Sequence, residues 1–380
     1  MYLPKNLKAY LRNIISIVTT IPYESVAYNQ HRLFDETKFI LLRKYFHKYF
    51  LLKVFNQLHL EKNPTKEDRV LWIFSGKNHF TYRSIGDSIM DLSGRALLRN
   101  QGWKVDLYTF NNLAELFAHD DIFENIYTNI KDVDVSKYDH ILFTLYTPRS
   151  IRLKLRFFRP LRFSSLWKYL QINGQYNQIT YSYAAINDLF GISISDSEIE
   201  NMAKPYLVTG NSIDSIVKKF KPGEPYGVIA VGGMDSDRTY ENWLDFFKLI
   251  DSDQTKIKTW ILVGSSNGLS YAKTVMSHPF KKLNIISFVN ELPILQVASL
   301  IKQSSLFIGS DGGLMHVAHS TNTPTVTLFT TNVDPRYRVT KACNSLVIQS
   351  RRGVSLISAQ DIFDAAKKQM ISFVDGVNEA

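Results

Sequence analysis

From residue 69 onward, short apolar runs of buried-strand type alternate with longer mixed segments of helical type. The first half predicts strands over Arg69 to Ser75, Lys104 to Phe110, Ile126-Tyr127 and His140 to Leu145, with helices over Ile89 to Asn100 and Leu113 to Ala118. Gln178 to Ala184 and Tyr206 to Thr209 read as strands, Ala185 to Phe190 and Ser212 to Phe220 as helices, and polar Ser193 to Lys204 as surface. The second half is more regular. It predicts strands over Tyr226 to Val231, Thr259 to Val263, Asn284 to Ser287 and Ser304 to Ile308, and another ending at Phe329. Helices are expected up to Ile250, over Leu292 to Lys302, after Gly313 and over Ala359 to Phe373. Strand–loop–helix alternation of this kind predicts an α/β fold of two doubly wound parallel sheets. Lys221-Pro222-Gly223-Glu224-Pro225 reads as the interdomain linker and Asn63-Pro64-Thr65-Lys66 as an earlier one. The expected division is therefore a helical basic extension (1–66), an N-terminal Rossmann-like domain (67–222) and a C-terminal one (223–380).

The 380-residue chain is 45% hydrophobic, which suffices for real cores and excludes a disordered chain. One cysteine, Cys343, excludes an internal disulfide framework and fits a reducing compartment. The formal charge of +10 favours an anionic partner: nucleic acid, an acidic membrane surface or a phosphorylated glycolipid. No apolar run reaches the roughly 18–20 residues that cross a bilayer. Lys5, Lys8 and Arg12 precede the short apolar run Ile14 to Ile21, which Pro22 ends, so an uncleaved surface helix is expected rather than a signal peptide. Phe39 to Leu60 interleaves Phe, Leu and Tyr with Arg43, Lys44, His47, Lys48 and Lys53. That pattern fits a helix on an anionic membrane, and equally a helix pair packed on the domain behind it.

The chemistry concentrates in Phe307-Ile308-Gly309-Ser310-Asp311-Gly312-Gly313-Leu314-Met315-His316. The glycines allow a sharp turn and close approach of a ligand. The helix that follows begins with free N–H groups at a strand's carboxyl end, where a pyrophosphate can bind. His316, on the first turn, either meets a phosphate oxygen or packs to hold the turn. The spacing of a metal cluster is not found, nor a P-loop, nor a nucleophile elbow.

Asp311 to His316, with Ala318 and the later Pro324-Thr325-Val326-Thr327-Leu328-Phe329, resembles the Asp-Ser/Thr-Gly-x-x-His-x-Ala signature of glycosyltransferase family 9, the bacterial heptosyltransferases. Gly312 departs from it, standing where that family has Ser or Thr. The Gly86-Asp87 pair followed by a helix ending Ala96-Leu97-Leu98-Arg99 resembles the family's opening, which makes Asp87 the expected general base; the residue pattern alone also allows a helix cap. Gly232, Gly233 and Arg238 fall at the family's donor-binding turn, with Arg238 matching a phosphate-binding basic residue; a local pair with Asp235 or Asp237 is the alternative. The acid that the family often carries near the turn at Gly264 is absent here.

The resemblance implies the GT-B arrangement and an inverting, metal-independent glycosyltransferase with no cofactor. The donor would be a nucleotide-diphosphate sugar, ADP-heptose by resemblance, bound by Gly232, Gly233, Arg238, Ser310, Asp311, Gly312, Gly313 and His316. The acceptor would be an anionic glycolipid, a lipopolysaccharide or lipooligosaccharide core, met by Arg149, Arg152, Arg156, Arg159 and Arg162, with Phe157, Phe158, Phe163 and Trp167 stacking on sugar or lipid. The expected location is cytoplasmic, at the periphery of the inner membrane. A catalytically silent sugar-nucleotide or glycan-binding module remains an alternative. Nucleic acid is not the expected partner, although the basic and aromatic residues of Arg149 to Lys168 suit one.

Overall fold

The computed structural model describes residues 50–74, 84–145, 148–167, 177–209 and 224–377. The expected helix Ser212 to Phe220, most of the extension and the first part of the linker lie outside them. Eleven strands are described, in two all-parallel sheets. The first contains β1 (Arg69–Ile73), β2 (Lys104–Tyr108), β3 (Phe123–Tyr127), β4 (His140–Leu145) and β5 (Arg162–Trp167), in the order β3-β2-β1-β4-β5. The second contains β6 (Tyr226–Ala230), β7 (Thr259–Val263), β8 (Asn284–Ser287), β9 (Leu306–Ser310), β10 (Thr325–Thr330) and β11 (Ser345–Ser350), in the order β11-β10-β9-β6-β7-β8. Both orders reverse beside the first strand of their sheet, and each reversal opens a crevice at the strands' carboxyl ends.

Among the described residues ten α-helices accompany these strands: α1 (Ile85–Asp91), α2 (Asn111–Ala114), α3 (Pro148–Phe157), α4 (Gln178–Leu189), α5 (Asp196–Met202), α6 (Trp243–Ser252), α7 (Leu269–Met276), α8 (Ile294–Gln303), α9 (Gly313–Ser320) and α10 (Ala359–Val377). Because β1 is buried on both sides, its residues divide between two cores. Val70 and Trp72 face an inner core, while Leu71 and Ile73 face an outer one with Ile141, Phe143, Ile151, Phe158 and Phe163. The inner core is continuous with that of the second domain, joining Ile89 of α1 to Leu295 of α8 and Met315 of α9. A third core, with Trp243, Phe246, Phe247 and Trp260, covers the far side of the second sheet.

Several expectations change. Gln178 to Leu189 is one helix, not a strand followed by a short helix. Asn177 accepts hydrogen bonds from the Ile179 and Thr180 N–H groups, and Ile179, Ser182, Tyr183 and Ile186 bury one helical face. Tertiary packing and a strong cap thereby override β-branched and aromatic residues whose local preference is for strand. Tyr206 to Thr209 pairs with no strand. Ser193 to Lys204 contains α5, started by a Ser195–Glu198 capping box. Strands β5 and β11 lie where no strand was expected. In α10, Ile362, Phe363 and Ala366 pack into the core of the second domain.

Candidate active site

Helices α1 and α9 meet by their first turns. A Cβ on Gly86 would lie 2.9 Å from His316 Cδ2, and one on Gly313 would lie 3.2 Å from Ile85 Cβ. Hydrogen at Gly86 lets the helices approach so closely, and the fit at Gly313 is tight. The contact joins the carboxyl end of β1, through α1, to the carboxyl end of β9, through α9.

Ser84 is the N-cap of α1, its Oγ accepting from the Asp87 N–H at 2.9 Å. Asp87 is therefore three residues inside the helix and is not its cap. Its side chain is exposed, and its carboxylate has no hydrogen-bond partner among the described residues. Across the interface, Asp311 follows β9 and is buried. Burial pushes its carboxyl pKa up; Arg238 and Arg338 pull it down, and the nearby Asp87 charge raises it further. Asp311 Oδ2 is 3.4 Å from Arg238 Nη1, with no hydrogen bond to it from any described residue.

Arg238 is held on a short 3-10 turn, Ser236–Arg238. The loop before it turns at Gly232, whose φ of +83° lies in the left-handed region that glycine tolerates. It is fixed by Asn267, whose Nδ2 donates to the Gly233 carbonyl at 2.5 Å, and by Thr239, whose Oγ1 donates to the Asp235 carbonyl at 2.9 Å. Of the local acids expected as alternatives, Asp235 lies 3.8 Å from Arg238, and Asp237 instead accepts from Asn332 at 3.1 Å. Ser310 ends β9, and Gly312 caps α9 in a fully extended conformation that any residue adopts, φ −179° and ψ −176°.

His316 is buried against Gly86, and its Nδ1 has no partner among the described residues. Burial, then His319 and Arg338, hold its pKa well below the ordinary imidazole value, so the ring is neutral. The ring of His319 stands 6.3 Å from it, also fully buried, with its pKa pushed down to about 3 by burial.

Arg338 was not expected from the sequence. It follows the turn Pro335–Tyr337, acts electrostatically on Asp311 and His316, and donates to Gln178 Oε1 of the first domain, whose Nε2 donates to Asp91 Oδ1 at 2.6 Å. Beside it, Asn177 donates to the carbonyls of Arg336 and Val339 at 2.9 and 3.1 Å. This loop of the second domain thus latches onto the start of α4.

The structure brings Asp87, Gly232, Gly233, Arg238, Ser310, Asp311, Gly312, Gly313 and His316 to the facing carboxyl ends of the two sheets. It does not bring the expected acceptor arginines there as a set. Helix α3 packs on the outer face of the first sheet, opposite α1 and α9. Arg149, Arg152, Arg156 and Arg159 are exposed on that side, while Arg162 pairs with Asp68. Phe158 and Phe163 are buried in the outer core, not presented to a ligand, because alternate positions of a covered sheet must face apolar neighbours. A pocket of about 500 Å³ lies elsewhere, lined by Lys66, Trp103, Asp188 and Phe190, and shares no residue with this group. Among the described residues, no three or more His, Cys, Asp or Glu side chains are gathered as a metal site.

A family model for glycosyltransferase family 9 (heptosyltransferase) matches residues 186–356, which include Arg238, Asp311 and His316. No curated protein matches the chain significantly. Among solved structures, a glycosyl transferase family 9 protein from Veillonella parvula is similar at 12% identity, covering 81% of this chain and 98% of its own, with a TM-score of 0.65. The ADP-heptose lps heptosyltransferase II of E. coli is similar at 16% identity, covering 80% and 99%, with a TM-score of 0.60. E. coli heptosyltransferase WaaC with ADP is similar at 15% identity, covering 80% and 99%, with a TM-score of 0.54. At such identities the structural likeness shows a shared two-domain GT-B fold. The family model takes in the end of the first domain and most of the second, and with the shared two-domain fold it makes the protein a glycosyltransferase.

Proposed function

We propose that this enzyme transfers a sugar, with inversion, from a nucleotide-diphosphate donor to a hydroxyl of an anionic lipopolysaccharide or lipooligosaccharide core. The observation that carries the reading is the Gly86–Gly313 contact, which sets an exposed, uncapped carboxylate of one domain beside the arginine-bearing crevice of the other. The diphosphate binds at the start of α9, against the N–H groups after Gly312 and the Arg238 guanidinium. Asp311 positions Arg238. Asp87 accepts the proton of the acceptor hydroxyl while that hydroxyl's oxygen attacks the anomeric carbon from the face opposite the leaving diphosphate. The bond to the diphosphate breaks, and the nucleoside diphosphate leaves with the electron pair, its new charge met by Arg238 and the helix N–H groups. ADP-heptose is the proposed donor: similar structures are described with ADP and with ADP-2-deoxy-2-fluoro heptose.

The test is nucleoside-diphosphate release from ADP-heptose in the presence of a truncated core acceptor. Asp87→Asn should lower transfer by roughly 10²–10⁴-fold, the usual contribution of a positioned base, while ADP still raises the melting temperature as in the parent. Undiminished transfer in that variant removes Asp87 from the role. A catalytically silent donor-binding module is the second reading. It is favoured by Gly312, where the resemblance calls for a hydroxyl, and donor binding without release for any acceptor would support it.

A further inference from the structure

Among the described residues ten large hydrophobic side chains are exposed, and four of them, Phe50, Val54, Phe55 and Leu58, fall within nine residues. The segment carrying them is firmly attached. Leu52 is fully buried in the outer core with Ile151, Phe158 and Phe163, and the buried Lys154 ammonium donates to Gln57 Oε1. Val54, Phe55 and Leu58 thus face away from the protein at an anchored position, interleaved with exposed Lys53, Asn56 and His59.

Helix α3 lies alongside. It turns Ile151 and Lys154 inward, as does Phe158 just after it, and carries exposed Arg149, Arg152 and Arg156, a three-and-four spacing that forms one stripe. Arg159 joins stripe to patch, its guanidinium 5.6 Å from the centre of the Phe55 ring. Residues 148–168 contain no acid, and residues 50–62 contain only Glu61. Such a surface joins two elements far apart in the sequence and has the composition of an interfacial membrane anchor: apolar side chains to enter the acyl boundary and cations to meet acidic headgroups.

We propose that Val54, Phe55 and Leu58, with Arg149, Arg156 and Arg159, form a docking face for an anionic lipid bilayer surface. Aliphatic Val54 and Leu58 suit acyl chains; nucleobases would call for stacking rings. The single sign of charge matches a sheet of anionic headgroups. The face lies across the first sheet from α1 and α9, so a docked enzyme leaves the crevice between the domains uncovered. The proposal stands whether or not Asp87 is the base.

Vesicle flotation of the full chain tests it, comparing phosphatidylcholine alone with phosphatidylcholine containing phosphatidylglycerol. The chain is expected to float only with the anionic vesicles. Each arginine is worth about a fivefold factor in partitioning, so Arg149→Glu/Arg156→Glu/Arg159→Glu should abolish flotation, and Val54→Ser/Leu58→Ser should weaken it at equal charge. Lys273→Glu, on exposed α7 of the other domain, should change it little. All replaced residues are exposed, and matching melting temperatures verify folding. Failure of the parent chain to float overturns the proposal, as does undiminished flotation of the two multiple variants or equal loss in Lys273→Glu. Preferential capture by an oligonucleotide makes the face a nucleic-acid surface, and a dimer dissolved by Val54→Ser/Leu58→Ser makes it a contact between copies; either result also overturns it.

Discussion

Arg238 illustrates how much a single side chain carries. Its guanidinium is the nearest described positive group to the buried Asp311 carboxylate, at 3.4 Å. Arg238→Gln should weaken ADP binding by about 10-fold or more, the loss of one charge-assisted contact. It should also make Asp311 harder to ionise, because burial then acts with less opposition. An ADP titration by thermal shift at pH 7.5 reads the first effect. Gly312 is a different case. A Cβ there meets nothing nearer than the Ser310 carbonyl at 3.7 Å, and the backbone is extended. Gly312→Ser should be accepted without strain and should raise stability by a few tenths of a kcal/mol as a better helix cap. A drop of several degrees in melting temperature would contradict this. Asp87, Arg238 and Asp311 could be singled out in the sequence because each follows a glycine-bearing turn that resembles a family motif. Arg338 could not. Its partner Gln178 is 160 positions away, and neither residue has a local signature.

Elements were legible where burial is two-sided. Tyr226 to Ala230, Thr259 to Val263 and His140 to Leu145 are continuous apolar runs because helices cover both faces of a parallel sheet. β5 was hidden because it starts on Arg162 and carries two serines, and because the arginines of α3 run into it without a break. α4 was misread because Ile179, Thr180, Tyr181 and Tyr183 favour strands in isolation, whereas its cap, Asn177, is held by carbonyls of the second domain and its buried face packs on the segment around Gly94, on which a Cβ would stand 2.1 Å from the Ser182 carbonyl oxygen. The contact between α1 and α9 gives a prediction at this scale. Gly86→Val would drive a branched side chain into His316 and force the helices apart, costing about 1–3 kcal/mol. Transfer should fall steeply while ADP binding, made by the second domain, is largely kept. Equal loss of both in a folded variant would mean that donor binding needs the first domain too.

For the whole molecule, acid is the informative perturbant. His140 is pushed down to about 4 and His319 to about 3, in both cases chiefly by burial, and His316 is lowered as well. Unfolded, each would protonate near its ordinary value of about 6.5. Below that pH the unfolded chain binds more protons than the folded one, so these groups cost nothing above about 6.5. Stability should fall as the pH drops toward 4 and 3, by up to about 1.4 kcal/mol per pH unit for each histidine. Asp311, with its raised pKa, works in the opposite direction but is a single group. Urea midpoints at pH 7.5 and 5.0 measure the difference, and equal midpoints would refute it.

The inner core has a consequence for how the molecule comes apart. Its apolar side chains run without interruption from Trp72 of one sheet, through Ile89, Met315 and Leu295, to Phe307 of the other. Two lobes joined only by a linker would melt as two transitions, each with its own enthalpy. Here neither lobe can lose its inner helices without exposing the other's, so calorimetry should record one endotherm, with the calorimetric enthalpy close to the van't Hoff value. A cavity cut into either half, such as Ile89→Ala or Leu295→Ala, should then lower that single transition, whichever lobe it lies in.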